Sequence, residues 1–301
     1  MTKIVLAFTA FRTGVRMVAG CLGALAGSAS VCAQSFVTTI NTAVVWQDNA
    51  TDADRANGCL EAWQVLAGAT AIQRHTLSRD DALLIGAALA SEAWSPYSGL
   101  DQLTAGPCIG WRHKFGLGAY APAVRLDLAG AGIAARESAR TGWQGQATLG
   151  FGQRFTEAMR LDLGADLTRT DAHAAVFTRT TGGLTAEMSY DFTPSWRLKT
   201  RLGWRNGDVV SDSRATRTYL GWQPANGYSY AATTPWLLVH TFDDPYLAYR
   251  IRAHTWSYSV GVSPAIGRNT ALTFQVERAE TSNAAVRYIN NLFSVGLAHQ
   301  F

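Results

Sequence analysis

WQGQATLGFGQRFTEAMRLDLGADLT, residues 143–168, decides the fold. In its first half Trp143, Gly145, Ala147, Leu149, Phe151, Gln153 and Phe155 alternate with Gln144, Gln146, Thr148, Gly150, Gly152 and Arg154, so one face is mostly apolar and the other polar. A period of two is the signature of a strand, whose successive side chains point to opposite faces. The second half repeats it, with Met159, Leu161, Leu163, Ala165 and Leu167 against Arg160, Asp162, Gly164, Asp166 and Thr168. Leu184 to Phe192 and Trp196 to Trp204 follow the same rule.

A soluble sandwich would alternate too, so segment length and the placement of aromatic residues have to separate the possibilities. The alternating segments run about 10 to 14 residues, longer than the ~5 to 6 of an average globular strand and close to the ~9 to 11 that a tilted strand needs to cross a bilayer. Trp143 and Phe155 close the two ends of one apolar face, on the order of 30 Å apart along the membrane normal for a strand tilted by ~40°. Trp46, Trp94, Trp204 and Trp256 fall near one end of their segments, whereas Phe115, Phe192, Trp196 and Phe301 fall near the other. Two aromatic girdles are expected of a transmembrane barrel, while core aromatics have no reason to sort by strand end.

The strands expected from this pattern cover residues 36–47, 59–73, 82–94, 102–115, 120–133, 142–155, 159–169, 180–192, 196–206, 249–264, 270–280 and 290–301. Their connections are short at 74–81, 116–119, 156–158, 193–195 and 265–269 and generally longer at the other end, an asymmetry typical of outer-membrane barrels. The fold class is therefore all-β, a transmembrane antiparallel β-barrel of about twelve strands. Fourteen are allowed if residues 216–223 and 229–240 form a hairpin inside the long outer loop 207–248.

Composition agrees. The 301 residues are 48% hydrophobic and 11% aromatic but only 16% charged, against a typical ~25%. After the first 33 residues no apolar run is long enough for a spanning helix. Residues 1–33 read as a signal peptide: Lys3, Arg12 and Arg16 without an acid, an apolar run from Met17 to Ser28, then Val31-Cys32-Ala33 before a cut at Gln34. The competing lipoprotein reading, Val18-Ala19-Gly20-Cys21, would place Arg12 and Arg16 inside the apolar core it needs. Cleavage removes three of the four formal positive charges, so the basic balance does not point to nucleic acid. It also removes Cys21 and Cys32. Cys59 and Cys108 remain, two cysteines in an oxidising compartment, with bridging left open.

The C-terminus, Val295-Gly296-Leu297-Ala298-His299-Gln300-Phe301, resembles the terminal signal of Gram-negative outer-membrane β-barrel proteins. It has the terminal Phe301, apolar residues at alternate upstream positions and Gly296 five residues before the end; His299 departs from the Tyr or Phe preferred there. The resemblance implies an outer-membrane location, recognition by the barrel assembly machinery during biogenesis, and a surrounding of outer-membrane lipid and lipopolysaccharide. It fixes fold and place and not activity. Oligomeric state stays open.

Three features bear on function. On segment 196–206, Arg197, Lys199, Arg201 and Arg205 share one face, a cationic ladder on the lumen side. A Thr-Pro-Ser turn would set Asp191 opposite Arg197, Ser189 opposite Lys199 and Glu187 opposite Arg201, which leaves Lys199 and Arg205 without a facing acid and a wet lumen biased toward anions. The long loop carries Tyr219, Trp222, Tyr228, Tyr230 and Trp236, besides Phe242 and Tyr246, an aromatic density suited to sugar stacking, a pore constriction or a surface epitope. Catalysis finds little support: no His-x-Ser occurs, His75 and His113 lie toward the short turns, His173 and His240 in loops, and His254 faces lipid. No Cys-x-x-Cys or His-x-x-x-His spacing suggests a metal site, and Asp48, Asp52 and Asp54 read as solvated loop acids. No cofactor is expected. The expected function is a porin-like passive channel for small anionic or sugar-like solutes; the alternatives are a closed structural or recognition barrel working through its outer loops and, third, a lipid-modifying enzyme.

Overall fold

The computed structural model describes residues 36–54, 58–214, 234–284 and 286–301. In chain order the strands are β1 (Phe36–Gln47), β2 (Ala62–Thr76), β3 (Asp81–Ser95), β4 (Gln102–Lys114), β5 (Ala123–Ala135), β6 (Gly142–Arg154), β7 (Met159–Ala172), β8 (Arg179–Thr193), β9 (Trp196–Arg214), β10 (Trp236–Leu238), β11 (Tyr246–Pro264), β12 (Thr270–Ser282) and β13 (Arg287–Gln300). Every pairing is antiparallel, and the sheet closes through β13 with β1 and β9 with β11. Closure leaves a ring of twelve strands, with β10 a three-residue flap along the start of β11. A closed ring satisfies every wall backbone group within the sheet, a requirement in hydrocarbon.

The outer face is apolar. Ile85, Ile109, Leu126, Leu149, Leu163, Leu202, Val260 and Val276 are all exposed and stand on the face opposite their polar strand neighbours. In water so continuous a patch would drive aggregation; in lipid it is the solvated surface. Among the described residues no helix is long and apolar enough to cross a membrane. Trp143 and Trp256 sit toward one rim of this face, Phe192, Trp196 and Phe301 toward the other.

Three expectations need correction. The loop expected at 207–248 is partly strand: β9 runs on to Arg214 and pairs directly with β11, which begins at Tyr246. That direct pairing leaves no place in the ring for two further strands; of the hairpin expected at 216–223 and 229–240, residues 215–233 lie outside the described residues. Trp94 stands at the expected end of β3 but on the inner face, because its neighbour in register is Gln64 and not the lipid-facing Trp63. The bridge left open between Cys59 and Cys108 is not formed. The signal peptide, residues 1–33, lies outside the described residues.

The β9–β11 ladder outgrows the wall. β8 leaves β9 at Gly207, where φ is +142° and an added Cβ would come within 2.3 Å of the Thr180 carbonyl oxygen, so only glycine fits. Beyond it both faces of the hairpin are buried: Ser211, Ala248 and Ile251 are fully enclosed, as are Leu247 and Tyr249. The hairpin reaches loop β1–β2, where the Asp212 N–H donates to the Thr51 carbonyl at 2.8 Å and the Ser211 hydroxyl bonds the Asp52 carbonyl oxygen at 2.6 Å. Tyr97 and Leu100 of loop β3–β4, Ala139 of loop β5–β6, Val176 and Phe177 of loop β7–β8, and Leu238, Phe242 and Tyr246 converge with it into one apolar core. The long-loop end of the barrel therefore carries a packed plug with its own core.

Candidate lumen pathway and mouth cavity

Inward-facing residues follow from the alternation. Between the rim residue Lys114 and the mouth residue Arg179, the inner faces of β4 to β9 carry eight cations, Arg112, Arg125, Arg154, Arg160, Arg197, Lys199, Arg201 and Arg205, and five acids, Asp127, Asp162, Asp166, Glu187 and Asp191. The opposite wall, β11 to β3, is mainly Ser, Thr, Gly, Ala and amide, with Arg74, Glu92 and Glu277 as its charges. The lumen is thus one-sided, a charged wall facing a neutral one.

The register sets Asp191 opposite Arg197, Ser189 opposite Lys199 and Glu187 opposite Arg201. Arg197 grips Asp191 with two guanidinium nitrogens, a bidentate, charge-assisted pair. Lys199 and Arg205, expected to lack acids, both have one. Lys199 Nζ lies 3.9 Å from Glu187 on the diagonal. Arg205 reaches across β8 to Asp166 of β7, 3.6 Å away. It can do so because Gly183 lies between them: a Cβ there would sit 3.0 Å from both Arg205 Cγ and Asp166 Oδ1. Facing residues on adjacent strands suggested the pairs, but a bridge spanning two strands over a glycine gap escapes that reasoning. Arg160–Asp162 at 2.6 Å and Arg125–Asp127 at 3.8 Å engage the other acids. Of the eight cations on this wall, Arg112, Arg154 and Arg201 have no acid within 4 Å among the described residues.

These inner side chains are wet. Lys199 is 42% and Arg205 55% exposed although both point inward, so the lumen below the plug has open space large enough for water. Toward the mouth the lumen narrows into a cavity of about 260 Å³. Arg140, Gln144, Thr170 and Arg179 line it from the β5–β8 side, Gln47, Asp52 and Asn290 from β1, loop β1–β2 and β13, and Val210 and Asp212 from the inserted hairpin. Asp52, expected as a solvated loop acid, instead accepts a hydrogen bond from the Asn290 amide; Asp48 accepts hydrogen bonds from the backbone and side chain of Asn291. Both cavity carboxyls lie beyond the outer girdle and are enclosed by protein, which pushes Asp52 up to about 6 and Asp212 up to about 8 although Arg140 pulls Asp212 down. Arg179 lies equally deep yet remains exposed to the internal water.

Of the aromatic loop, Tyr219, Trp222, Tyr228 and Tyr230 lie outside the described residues; Trp236 is an exposed residue of β10. Phe242 and Tyr246 turn inward, ring centroids 4.7 Å apart, with Tyr97 5.3 Å from Phe242. Gly296 packs against β1, and His299 and Phe301 meet edge to face on the outer face at 4.3 Å. His254 Nε2 lies 3.0 Å from the Ser282 hydroxyl on the lipid side, an exposed pair.

No family model matches the chain, and no curated protein matches it in sequence. Solved structures do. An outer-membrane channel of Pseudomonas putida F1 superimposes over 90% of this chain and 97% of its own with a TM-score of 0.59 at 11% identity. The likeness is one of fold. The NanC porin (TM-score 0.47, 6% identity, 87% of this chain and 100% of that one) and the KdgM porin (0.44, 10%, 87% and 99%) are more distant in shape.

Proposed function

We propose that the protein is a porin-like passive channel of the outer membrane for small anionic or sugar-like solutes. One observation carries this reading: a charged inner wall whose side chains are exposed to open space within the barrel, with a surplus of Arg and Lys over acids. A barrel serving only as a scaffold has no need of a wet lumen, and water-facing charge inside a low-dielectric wall biases ion passage. The shape shared with an outer-membrane channel supports it. Export by cleavage before Gln34, assembly through the terminal Phe301 and a lipopolysaccharide surround belong to the same reading. Planar-bilayer conductance of the purified protein tests it: discrete, anion-favouring current steps are expected.

A second reading draws on the plug. An apolar core contributed by loops from around the rim closes the mouth in this conformation, as in a barrel that works through its outer surface. A silent bilayer, with the protein inserted and heat-modifiable on gels, would favour it over the channel.

A further inference from the structure

The mouth cavity has a chemistry that the charge ladder does not use. Four polar side-chain atoms at its lining are buried without a hydrogen-bond partner among the described residues: Trp94 Nε1, Thr170 Oγ1, Asp212 Oδ1 and Asn290 Oδ1. Orphaned buried polar atoms are costly and rare, so four around one cavity mark a place built to be satisfied by something else. Trp94 can only donate, the Asp212 carboxylate and the Asn290 oxygen accept, and Thr170 can do both. The guanidinium groups of Arg140 and Arg179 stand on one side, and Asp52 with Asn290 faces them from the wall across the lumen. Opposite charges on facing walls produce a transverse field.

We propose that this cavity binds a small zwitterion with an apolar substituent, of the α-amino acid type, its carboxylate on Arg140 and Arg179 and its ammonium on Asp212 and Asn290. The inference deepens the channel reading and rests on its wet lumen, since the solute must reach the cavity from the water below. A simple carboxylate would satisfy the arginines but bring no donor to the Asn290 oxygen, which can only accept. A neutral sugar would waste the apolar wall of Leu100, Ile133, Phe177 and Leu238. Size sets the upper limit: about 260 Å³ falls below the ~300 Å³ at which drug-sized pockets begin. Burial of Asp212 adds a signature. With its carboxyl pushed up to about 8, the empty site holds a proton near neutrality; an arriving ammonium favours the ionised form, so binding releases that proton. Arg140, Asp52, Tyr246 and Tyr288 are the titratable groups that interact with it; Arg140 favours the ionised form and Asp52 opposes it.

The test is calorimetry on the intact, detergent-purified barrel with L-leucine, 4-methylpentanoate, which lacks the ammonium, and 3-methylbutylamine, which lacks the carboxylate. Leucine should bind at least tenfold more tightly than either analogue, with a heat that depends on the buffer's ionisation enthalpy. Asp212→Asn should erase the advantage over 4-methylpentanoate, and Arg179→Gln the advantage over 3-methylbutylamine. The analogue comparison uses the unmodified protein, so it decides the matter even if a variant fails to fold. Equal binding of 4-methylpentanoate and leucine, or no heat with millimolar leucine, would overturn the proposal. A barrel that conducts yet ignores leucine refutes the site and leaves the channel; one that binds leucine but never conducts refutes the channel and leaves the site.

Discussion

Arg154 and Arg201 are inner-wall cations without an acid within 4 Å, so replacing both with glutamate changes lumen charge without breaking an ion pair. The charged wall has three more cations than acids, and the facing wall has one more acid than cation, leaving a surplus of two positive charges. Arg201→Glu alone brings that to zero, and the double variant to minus two. Even in the water limit a unit charge acts on a monovalent ion 4 Å away with about 1 kcal/mol, so reversing one side chain shifts the ion by about 2 kcal/mol, a factor of about 30 in local concentration. Twelve strands about 4.8 Å apart and tilted by ~40° enclose a backbone cylinder of radius on the order of 12 Å, less the side chains. The Debye length is ~10 Å at 0.1 M salt, so no point of the pathway escapes the ladder's field there, whereas ~3 Å at 1 M confines it to the wall. The assay is the reversal potential across a planar bilayer in a KCl gradient. Wild type should be anion-selective, Arg201→Glu close to non-selective and the double variant cation-selective, with the permeability ratio moving at least tenfold at 0.1 M and collapsing toward unity at 1 M. An unchanged reversal potential in the double variant, with conductance intact, would show that these side chains do not line the path.

Intact-mass analysis of membrane-extracted protein should give an N-terminus at Gln34; one at a lipidated Cys21 would replace the cleaved leader with a lipoprotein anchor. Phe301 is exposed and contributes little packing, so Phe301→Ser should lower membrane levels and heat-modifiable mobility severalfold through failed assembly, while the small fraction that inserts melts as wild type does; normal membrane levels would count against the terminal signal. Burial raises Asp52 to about 6 and Asp212 to about 8 when the plug is packed, whereas a carboxyl released into water titrates near 4. Packing therefore binds extra protons between those values, is strongest at acidic pH and weakens as pH rises through 6 and then 8. Single-channel open probability should accordingly rise from pH 5 to pH 8.5, with Asp212→Asn removing the upper part of the rise; a flat profile in the wild type would dissociate these carboxyls from the plug.

The barrel was legible because a transmembrane strand is a local object. Alternation over residues 143–155 and 159–169 needs no tertiary knowledge, and β6 and β7 come within a few residues of those limits. The short turn after Thr193 narrowed the pairs of β8 with β9 for the same reason, and a bulge between Asp191 and Thr193 sets Asp191 opposite Arg197. What escaped depends on strands or loops distant in the chain. Asp52, Arg140, Arg179 and Asp212 come from four separate elements and meet only because the barrel closes and its longest hairpin folds inward. Each looks like an ordinary loop or strand-end charge in the sequence.

A trace of the inward fold was nevertheless present in residues 207–214, Gly-Asp-Val-Val-Ser-Asp-Ser-Arg. They break the wall's pattern, with Val209 and Val210 adjacent and no lipid-facing aromatic, so the segment has no purely apolar side to give to a bilayer. A ladder that continues past the girdle with both faces enclosed can have apolar and polar residues on either face, provided its polar groups find partners. Ser211 finds Tyr249 and the backbone of loop β1–β2, whereas Asp212 Oδ1 finds none among the described residues. A plug held only by apolar packing would have little reason to keep a half-satisfied carboxyl at its centre, because removing it would add stability. Its presence ties the plug's packing to the contents of the cavity beneath. Whatever satisfies Asp212, a proton or a solute cation, also stabilises the closed mouth, and filling the cavity and plugging the barrel become coupled equilibria.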